Sequence, residues 1–354
     1  MLISALACVH GRDNPLKLPQ KNKVIVIIVD GLGCSNLSSA AGHAAYLNSL
    51  TSEKIHCFFP ATTSTSLTSL TTGAKPWETG FLAYLQYDRQ DGLARNLLTG
   101  WPDYQSGADF QTIKTVSELA QEQGITFNVL SLPEYEESGL TGATLRGAIQ
   151  RTSYSIESRF EYALDVLRQR DKSISYLYIP ELDQIAHAYG VNSNEWLAGV
   201  ELVDAQIRNL SIALPKDSAI IVTADHGVID IDYANHLYID EHFSKEIFEY
   251  VGGDTRSLQL YLKDSNQVAE ILERLKVFYS EYCYVVTPAE LIEAGYWKES
   301  SKLKRFAPDI LLLAKKRVAL FHRDFARKKS LANIGHHGSI TDEELAVPLI
   351  RIGF

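Results

Sequence analysis

The chain has no long hydrophobic run and no excess of positive charge. No stretch of its 354 residues reaches the roughly 18 consecutive apolar residues that a transmembrane helix requires. The net charge is −9 and the isoelectric point is near 5.6, which argues against a general surface for nucleic acid or anionic membranes. We therefore expect neither as a partner. A local positive charge such as a metal ion would still allow an anionic substrate to bind.

Cysteine is also scarce. The four cysteines are widely separated and include no C-x-x-C pair: Cys8, Cys34, Cys57 and Cys283. This pattern is typical of thiols used as small core residues in a reducing compartment. The opening MLISALAC lacks a basic region, and its apolar run is at the lower limit for a secretion signal. We predict an N-terminal helical segment over residues 1–20 and a cytoplasmic protein.

Several common catalytic motifs are missing. The chain has no G-x-S-x-G elbow, no G-x-x-x-x-G-K-[ST] loop and no G-x-G-x-x-G after a strand. No cysteine has a neighbouring histidine that would suit a thiol nucleophile. These absences argue against a nucleophile-elbow hydrolase, a P-loop or dinucleotide-binding protein, and a thiol enzyme.

Apolar β-branched segments alternate with helical patterns along the chain. KVIVIIVDG (23–31) and AIIVTADHG (219–227) have the composition of buried parallel strands. Helices are predicted over 112–124, 155–171 and 192–215, and further strands over 125–133, 175–180, 257–264, 282–288 and 309–316. This order predicts the α/β class, with a mostly parallel central sheet and helices on both faces. We expect one catalytic domain over 21–354, with residues 236–306 as a small inserted subdomain.

Acids and histidines follow the predicted strands at the edge where functional groups collect in such sheets. Asp30 follows the first strand, and Asp225 and His226 follow the second. Asp183 and His187 are four residues apart, so a helix would place both on one face. Taken singly, each feature has an ordinary structural explanation, as a turn residue or a helix-surface contact.

Two adjacent histidines, His336 and His337, lie between glycines near the end of the chain. One of them, together with the three aspartates and two histidines above, gives more ligands than one four-coordinate ion accepts. Carboxylate and imidazole ligands suit a divalent cation such as Zn²⁺. The sequence therefore predicts two metal ions a few ångströms apart.

Five short motifs occur in an order that resembles the alkaline phosphatase superfamily. They are V-D-G (29–31), F-P-x-x-T (59–63), D-x-x-x-H (183–187), A-D-H-G (224–227) and H-G-S-x-T (337–341). The branch that they resemble most is the nucleotide pyrophosphatase/phosphodiesterase type, and they cover nearly the whole chain. The resemblance implies an alkaline phosphatase-like fold and a hydrolase of phosphodiester or pyrophosphate bonds.

The resemblance also implies how the ligands are divided. Asp30, Asp225 and His226 would hold one ion together with the oxygen of the nucleophile. Asp183, His187 and a late histidine would hold the other, and the histidine directly before glycine selects His337 over His336. The expected ions are two Zn²⁺, with Mn²⁺ as an alternative.

The motif F-P-x-x-T places the nucleophile at Thr63. Nine of the fifteen residues 59–73 are Ser or Thr, and residues 64–72 read as a helix, so Thr63 would lie at a helix N-terminus that favours phosphate. The implied mechanism is a two-step displacement through a phospho- or nucleotidyl-threonine. We expect Ser64 and Thr65 to cap the first turn of that helix.

Ser66 departs from the pattern. The resemblance implies an asparagine three residues after the nucleophile, as a hydrogen-bond donor to a phosphoryl oxygen, and Ser66 stands there instead. A hydroxyl can donate one hydrogen bond with shorter reach, so we expect Ser66 to bind the substrate in this role. Monoester hydrolysis by the same site stays open for that reason, and phosphonate hydrolysis stays open as well. So does a non-catalytic protein that binds a phosphorylated ligand. Substrate selectivity is expected in loops such as 84–107, whose aromatic residues could stack on a base or simply pack.

Overall fold

The computed structural model of the protein describes residues 1–101 and 106–354. In this part of the chain the strands are β1 (Lys23–Val29), β2 (Ser52–His56), β3 (Leu85–Asp88), β4 (Leu93–Asn96), β5 (Thr126–Ser131), β6 (Ile149–Thr152), β7 (Ser173–Ile179), β8 (Ser218–Thr223), β9 (Ile229–Asp230), β10 (His236–Tyr238), β11 (Phe248–Asp254), β12 (Ser257–Leu262), β13 (Cys283–Val286), β14 (Ile310–Ala314), β15 (Ala319–Phe321), β16 (Gly335–His336) and β17 (Ala346–Ile352).

The α-helices are α1 (Leu2–His10), α2 (Cys34–Ser39), α3 (Ala45–Ser49), α4 (Thr63–Thr72), α5 (Pro76–Thr79), α6 (Gly107–Phe110), α7 (Val116–Glu122), α8 (Gly139–Thr144), α9 (Ile156–Arg168), α10 (Glu181–Tyr189), α11 (Asn194–Ile212), α12 (Val268–Tyr279), α13 (Pro288–Glu293), α14 (Ser301–Phe306), α15 (Lys328–Leu331) and α16 (Asp342–Leu345). Short 3₁₀ turns cover Pro133–Tyr135, Tyr233–Asn235, Ile239–Glu241, Lys245–Ile247 and Ser265–Gln267.

A seven-stranded sheet forms the centre of the molecule, in the order β2-β17-β8-β1-β7-β5-β6. The strands β8, β1, β7, β5 and β6 are parallel to their neighbours, and β17 runs antiparallel to both β8 and β2. Every residue of β1, β7 and β8 is buried, as the near-continuous apolar sequence of a parallel strand requires. The predicted α/β class with a mostly parallel central sheet is confirmed.

Alternate residues of β1 face two separate hydrophobic cores. Ile25, Ile27 and Val29 belong to a core with residues of α9 and α11. Val24, Val26 and Ile28 belong to a second core with residues of α1 and α7. Because successive side chains of a strand point to opposite faces, helices cover both faces of the sheet. The first helix, α1, has six buried residues and joins the second core.

The register of three neighbouring strands aligns their carboxyl ends. Ile28 pairs with Tyr178 of β7 and with Thr223 of β8. The chain that follows each strand therefore emerges at the same edge of the sheet, with Asp30 and Asp225 close together. Gly31 makes the turn after Asp30 with φ +74, a conformation that L side chains rarely adopt, and it lies against Val228 and Asp183.

A second sheet of six strands, mainly antiparallel, lies beside the first in the order β13-β14-β12-β11-β3-β4. Residues 236–306 supply β11, β12 and β13, whereas β3, β4 and β14 come from outside that range. Residues of α12 pack on one face of this sheet, and the side chains of Leu311 and Leu313 join a different core. The end of β11 reaches the cavity described below.

Among the described residues, no helix combines the length and the apolar character needed to cross a membrane.

Candidate active site

Thr63 is the first residue of α4. The preceding residue, Thr62, has extended backbone and its side chain does not cap the helix. The N–H groups of the first turn therefore have no side-chain partner from the cap position. The Thr63 hydroxyl oxygen lies 3.1 Å from Nε2 of His226, far away in sequence. The predicted position of Thr63 at a helix N-terminus is observed.

The other hydroxyls of α4 mostly hold the helix in place. Ser64 donates to the carbonyl of Ala83 at 2.9 Å, and Thr65 donates to that of Phe81 at 3.0 Å. The prediction that they cap the first turn is wrong, because both side chains reach a neighbouring segment instead of the helix's own N–H groups. Thr68, Thr71 and Thr72 donate to carbonyls one turn earlier.

Asp30, Asp225 and His226 meet at the carboxyl edge of the sheet. Nε2 of His226 lies 3.4 Å from Oδ1 of Asp30 and 3.5 Å from Oδ2 of Asp225. Oδ1 of Asp225 accepts hydrogen bonds from the backbone N–H groups of Gly31 and His226, at 3.2 and 3.0 Å. Oδ2 of Asp30 accepts one from the hydroxyl of Tyr178. Each carboxylate is thus held through one oxygen, and its other oxygen faces the cluster.

Asp183 and His187 lie on one face of α10, as their spacing predicts. Nε2 of His187 is 3.1 Å from Oδ2 of Asp183, and Nε2 of His337 is 3.9 Å from Oδ1 of Asp183. Nδ1 of His187 lies 2.7 Å from the carbonyl of Gly335, and Nδ1 of His337 lies 2.8 Å from that of Ala61. A carbonyl can only accept, so each Nδ1 carries the proton and each Nε2 is left as a ligand atom.

His336 is engaged elsewhere. Its Nδ1 lies 2.7 Å from the hydroxyl oxygen of Thr255, and its Nε2 lies 3.1 Å from the carbonyl of Asn333. Both ring nitrogens therefore have protein partners. His337, in contrast, stacks on His226 with ring centroids 3.7 Å apart.

Two groups of side chains could each hold a cation. The first consists of Asp183, His187 and His337, and the second of Asp30, Asp183 and His226. The ligand atoms within each group lie within 4.8 Å of one another. Asp183 belongs to both groups, so the two candidate positions are adjacent. Asp225 borders the second group through His226.

Three buried carboxylate oxygens at this point have no hydrogen-bond partner within residues 1–101 and 106–354: Oδ1 of Asp30, Oδ1 of Asp183 and Oδ2 of Asp225. Burying an unpaired carboxylate oxygen is costly unless a cation or donor meets it. The unpartnered oxygens belong to the same side chains that present ligand atoms to one another. The residues present therefore fit divalent cations.

The electrostatics of the cluster agree with that fit. Burial, followed by the charges of Asp225 and Asp183, raises the pKa of Asp30 well above its usual range. Burial and Asp183 raise the pKa of Asp225 to about 6. Burial lowers the pKa of His226 to about 4 and that of His337 to about 3. Both imidazoles are therefore neutral at pH 7, which is the form that binds a metal.

A cavity of about 460 Å³ opens onto Thr63 and the ligand cluster. Its lining includes Tyr135 and Tyr176 beside the central sheet, and Asp254 and Phe325 on the side of the second sheet. Ser66 does not line it, and Oγ of Ser66 is buried without a hydrogen-bond partner. Ser66 therefore makes no contact with this cavity that would support its predicted role in substrate binding.

Part of the loop 84–107 reaches the cavity. Tyr84, Leu98 and Thr99 line it. Trp101 packs on Phe81 and Phe110, with ring centroids 6.1 and 5.1 Å away. Residues 102–105 of this loop lie outside the described residues.

Three residues of the site were not anticipated from the sequence. Tyr178 donates a hydrogen bond to Asp30. Nδ2 of Asn333 lies 3.2 Å from Nδ1 of His187. Asp254 lines the cavity. Tyr178 could have been found, because it pairs with Ile28 in the neighbouring strand, two residues before Asp30, and side chains two apart share a face. Asn333 and Asp254 lie in segments with no metal-ligand spacing.

The family of sequences described as type I phosphodiesterase / nucleotide pyrophosphatase matches residues 24–340 of the chain. That range contains every predicted ligand and Thr63. No curated protein sequence matches the chain.

Several solved structures share the fold. Murine ectonucleotide pyrophosphatase/phosphodiesterase 5 superposes with a TM-score of 0.74 at 18% identity, covering 93% of this chain and 87% of that chain. An inactive threonine-to-alanine variant of the murine protein was solved in complex with AMP. Phosphonoacetate hydrolase from Sinorhizobium meliloti 1021, in complex with phosphonoformate, has a TM-score of 0.69 at 19% identity, covering 94% and 90% of the two chains.

Proposed function

We propose that this chain, which belongs to the type I phosphodiesterase/nucleotide pyrophosphatase family, hydrolyses phosphodiester or pyrophosphate bonds with Thr63 as its nucleophile. As a member of that family it is a metal-dependent phosphoric ester hydrolase of the alkaline phosphatase superfamily. The observation that carries the proposal is the position of Thr63. Thr63 is the first residue of the buried helix α4, and its hydroxyl oxygen lies 3.1 Å from Nε2 of His226 in the ligand cluster.

Two divalent cations, Zn²⁺ in our proposal, would be held by the predicted ligands. Asp30, Asp225 and His226 with the Thr63 oxygen would form one set, and Asp183, His187 and His337 the other. When bound, such ions lower the pKa of a coordinated hydroxyl and offset negative charge on the transferred group and the leaving oxygen. Mn²⁺ would suit the same oxygen and imidazole ligands.

The chain's own groups orient the reaction. First-turn N–H groups of α4, free of a side-chain cap, would donate to the phosphoryl oxygens. Oγ1 of Thr63 gives its proton to solvent in the open cavity and attacks phosphorus. The Oγ1–P bond forms while the bond from phosphorus to the leaving oxygen breaks, which leaves a phospho- or nucleotidyl-threonine. The leaving oxygen takes up a proton from solvent. Water then attacks phosphorus, so that a new O–P bond forms as the Oγ1–P bond breaks, and a proton of that water returns to Oγ1 of Thr63.

Phosphonate hydrolysis by the same residues is the second candidate. It is supported by the fold shared with a hydrolase whose name gives phosphonoacetate as its substrate. The AMP complex of the other relative supports a nucleotide. Monoester hydrolysis also stays a candidate, since Ser66 replaces the asparagine that the family resemblance implies.

The deciding experiment compares substrates on zinc-reconstituted enzyme. We expect kcat/KM for bis-p-nitrophenyl phosphate to exceed that for p-nitrophenyl phosphate, with phosphonoacetate as a third substrate. A ratio well below one would contradict the diester proposal in favour of a monoesterase. Turnover of phosphonoacetate alone would favour the second candidate. No turnover of any phosphoryl substrate by metal-loaded protein would point to a non-catalytic binding protein.

A further inference from the structure

Two basic side chains line the cavity without an acidic partner. Arg327 and Lys329 both belong to its lining, and among the described residues neither forms an ion pair. Arg323, four residues before Arg327, is instead paired with Asp240 at 2.8 Å and with Glu241 at 2.7 Å. Both side chains are exposed at the cavity in a chain whose net charge is −9.

Each cation can be located relative to another residue that lines the cavity. Burial lowers the pKa of His187, but its interaction with Asp183 raises it overall. The positive charge of Lys329 opposes that rise. Lys329 therefore lies within electrostatic reach of a predicted metal ligand. Arg327 stacks its guanidinium over the ring of Tyr84, 5.8 Å from the centroid. Tyr84 itself lines the cavity, so the stacking holds the guanidinium at the cavity wall.

The acid on the same side of the cavity is only partly ionised near neutral pH. Asp254 is the carboxyl that lines the cavity next to Thr255. Burial raises the pKa of Asp254 to about 7, so a substantial fraction of it is uncharged near neutral pH. It also accepts a hydrogen bond from the backbone N–H of Tyr84 at 3.3 Å, and among the described residues it forms no ion pair with Arg327 or Lys329.

We infer that Arg327 and Lys329 bind a second anionic group of the substrate, a phosphate or carboxylate separate from the phosphorus that Thr63 attacks. Guanidinium and ammonium groups at a cavity mouth recognise such oxyanions through charge-assisted hydrogen bonds. This inference rests on the proposed function, because it takes the reacting phosphoryl group to lie at Thr63. It narrows the substrate to compounds with two anionic centres, such as a pyrophosphate or a phosphonocarboxylate.

The test uses three inhibitors of bis-p-nitrophenyl phosphate hydrolysis that differ only in the second group. Methylphosphonate has one anionic centre, methylenediphosphonate adds a phosphonate, and phosphonoacetate adds a carboxylate. With free zinc fixed by a metal buffer, we expect at least one of the two compounds with a second anionic group to inhibit about tenfold more tightly than methylphosphonate. We define the preference as the ratio of the inhibition constant of methylphosphonate to that of each other compound. A larger ratio for methylenediphosphonate identifies the second group as phosphate-like, and a larger ratio for phosphonoacetate identifies it as a carboxylate. That preference should fall as salt is added.

Lys328 supplies the matched control, because it is exposed, lies between the two residues and does not line the cavity. Arg327→Gln and Lys329→Gln should each reduce the preference several-fold, whereas Lys328→Gln should leave it unchanged. Equal inhibition by all three compounds, or equal effects of the three variants, would overturn the inference. If the enzyme hydrolyses no phosphoryl substrate, the proposed function fails, and calorimetric binding of the same compounds to zinc-loaded protein still tests the anion site.

Discussion

The hydroxyl of Tyr178 donates a hydrogen bond to Oδ2 of Asp30, and Oδ1 of the same carboxylate is buried with no hydrogen-bond partner among the described residues. The two residues lie on neighbouring parallel strands or just beyond them, so the sheet itself sets their relative positions. The hydrogen bond leaves Oδ1 as the oxygen available to a cation. Tyr178 is in this way a positioning residue for Asp30.

Tyr178→Phe should weaken metal binding by about 10- to 100-fold, the usual effect of removing a partner that orients a ligand. Metal affinity, measured by competition with a chromogenic chelator, reports this directly. Tyr176→Phe is the control: its ring is 6.1 Å from that of Tyr178 in the same buried strand, and it makes no hydrogen bond to Asp30. Equal affinities in the two variants would contradict the positioning role.

Thr63→Ala should retain bound metal and a native melting profile but lose activity by about 1,000-fold or more, since the nucleophile is removed and most ligands remain. Thr63→Ser, which keeps a hydroxyl, should retain measurable turnover. The test is to measure hydrolysis rates with bis-p-nitrophenyl phosphate, p-nitrophenyl phosphate and phosphonoacetate, and to measure the metal content of each variant by mass spectrometry. Substantial activity in Thr63→Ala would refute the nucleophile assignment.

The two adjacent histidines should behave differently. His337→Ala should remove one metal equivalent, because Nε2 of His337 is a candidate ligand atom near Asp183. His336→Ala should keep both equivalents and lower the free energy of unfolding by about 1–3 kcal/mol, since Thr255 loses its partner. Metal stoichiometry and urea unfolding separate the two effects. Loss of metal from the His336 variant alone would reverse the assignment.

Removal of metal should destabilise the protein. A ligand that binds only the folded state stabilises it by about 2.7 kcal/mol at a concentration 100 times its Kd. The unpartnered oxygens of Asp30, Asp183 and Asp225 are left repelling one another without cations. Dialysis against a chelator should therefore lower Tm by several degrees, and added Zn²⁺ should restore it. An unchanged Tm would show that no ion binds this cluster.

Glu344 and Glu343 form a matched pair of positions for comparing how much a buried and an exposed ion pair contribute to the free energy of unfolding. Glu344 is fully buried with Arg256, at 2.9 Å, whereas Glu343 pairs with Arg317 at the surface, at 2.7 Å. Glu344→Gln should cost about 3–5 kcal/mol of unfolding free energy because a buried guanidinium loses its counter-charge. Glu343→Gln should cost about 1 kcal/mol or less. Urea denaturation at equilibrium provides both values, and equal costs would contradict a buried pair.

The sequence by itself determined the central sheet and the residue types of the site. The apolar runs that end in Asp30 and Asp225 have the composition of buried parallel strands, which predicts that their acids emerge at one edge of the sheet. The four-residue spacing of Asp183 and His187 fixed their common helix face. Five motifs in order were enough to indicate the family.

Tertiary structure alone decided which polar groups meet across the chain. The side chains of Ser64 and Thr65 are of the type that caps helices. They donate instead to the carbonyls of Ala83 and Phe81 in a neighbouring segment. The choice between His336 and His337 depends on Thr255 and Asn333, which occupy both nitrogens of one ring. Asp254 and Arg327 reach the cavity from β11 and from the N-cap of α15. No local pattern records such contacts, because they form between segments whose distance is set only when the two sheets pack together.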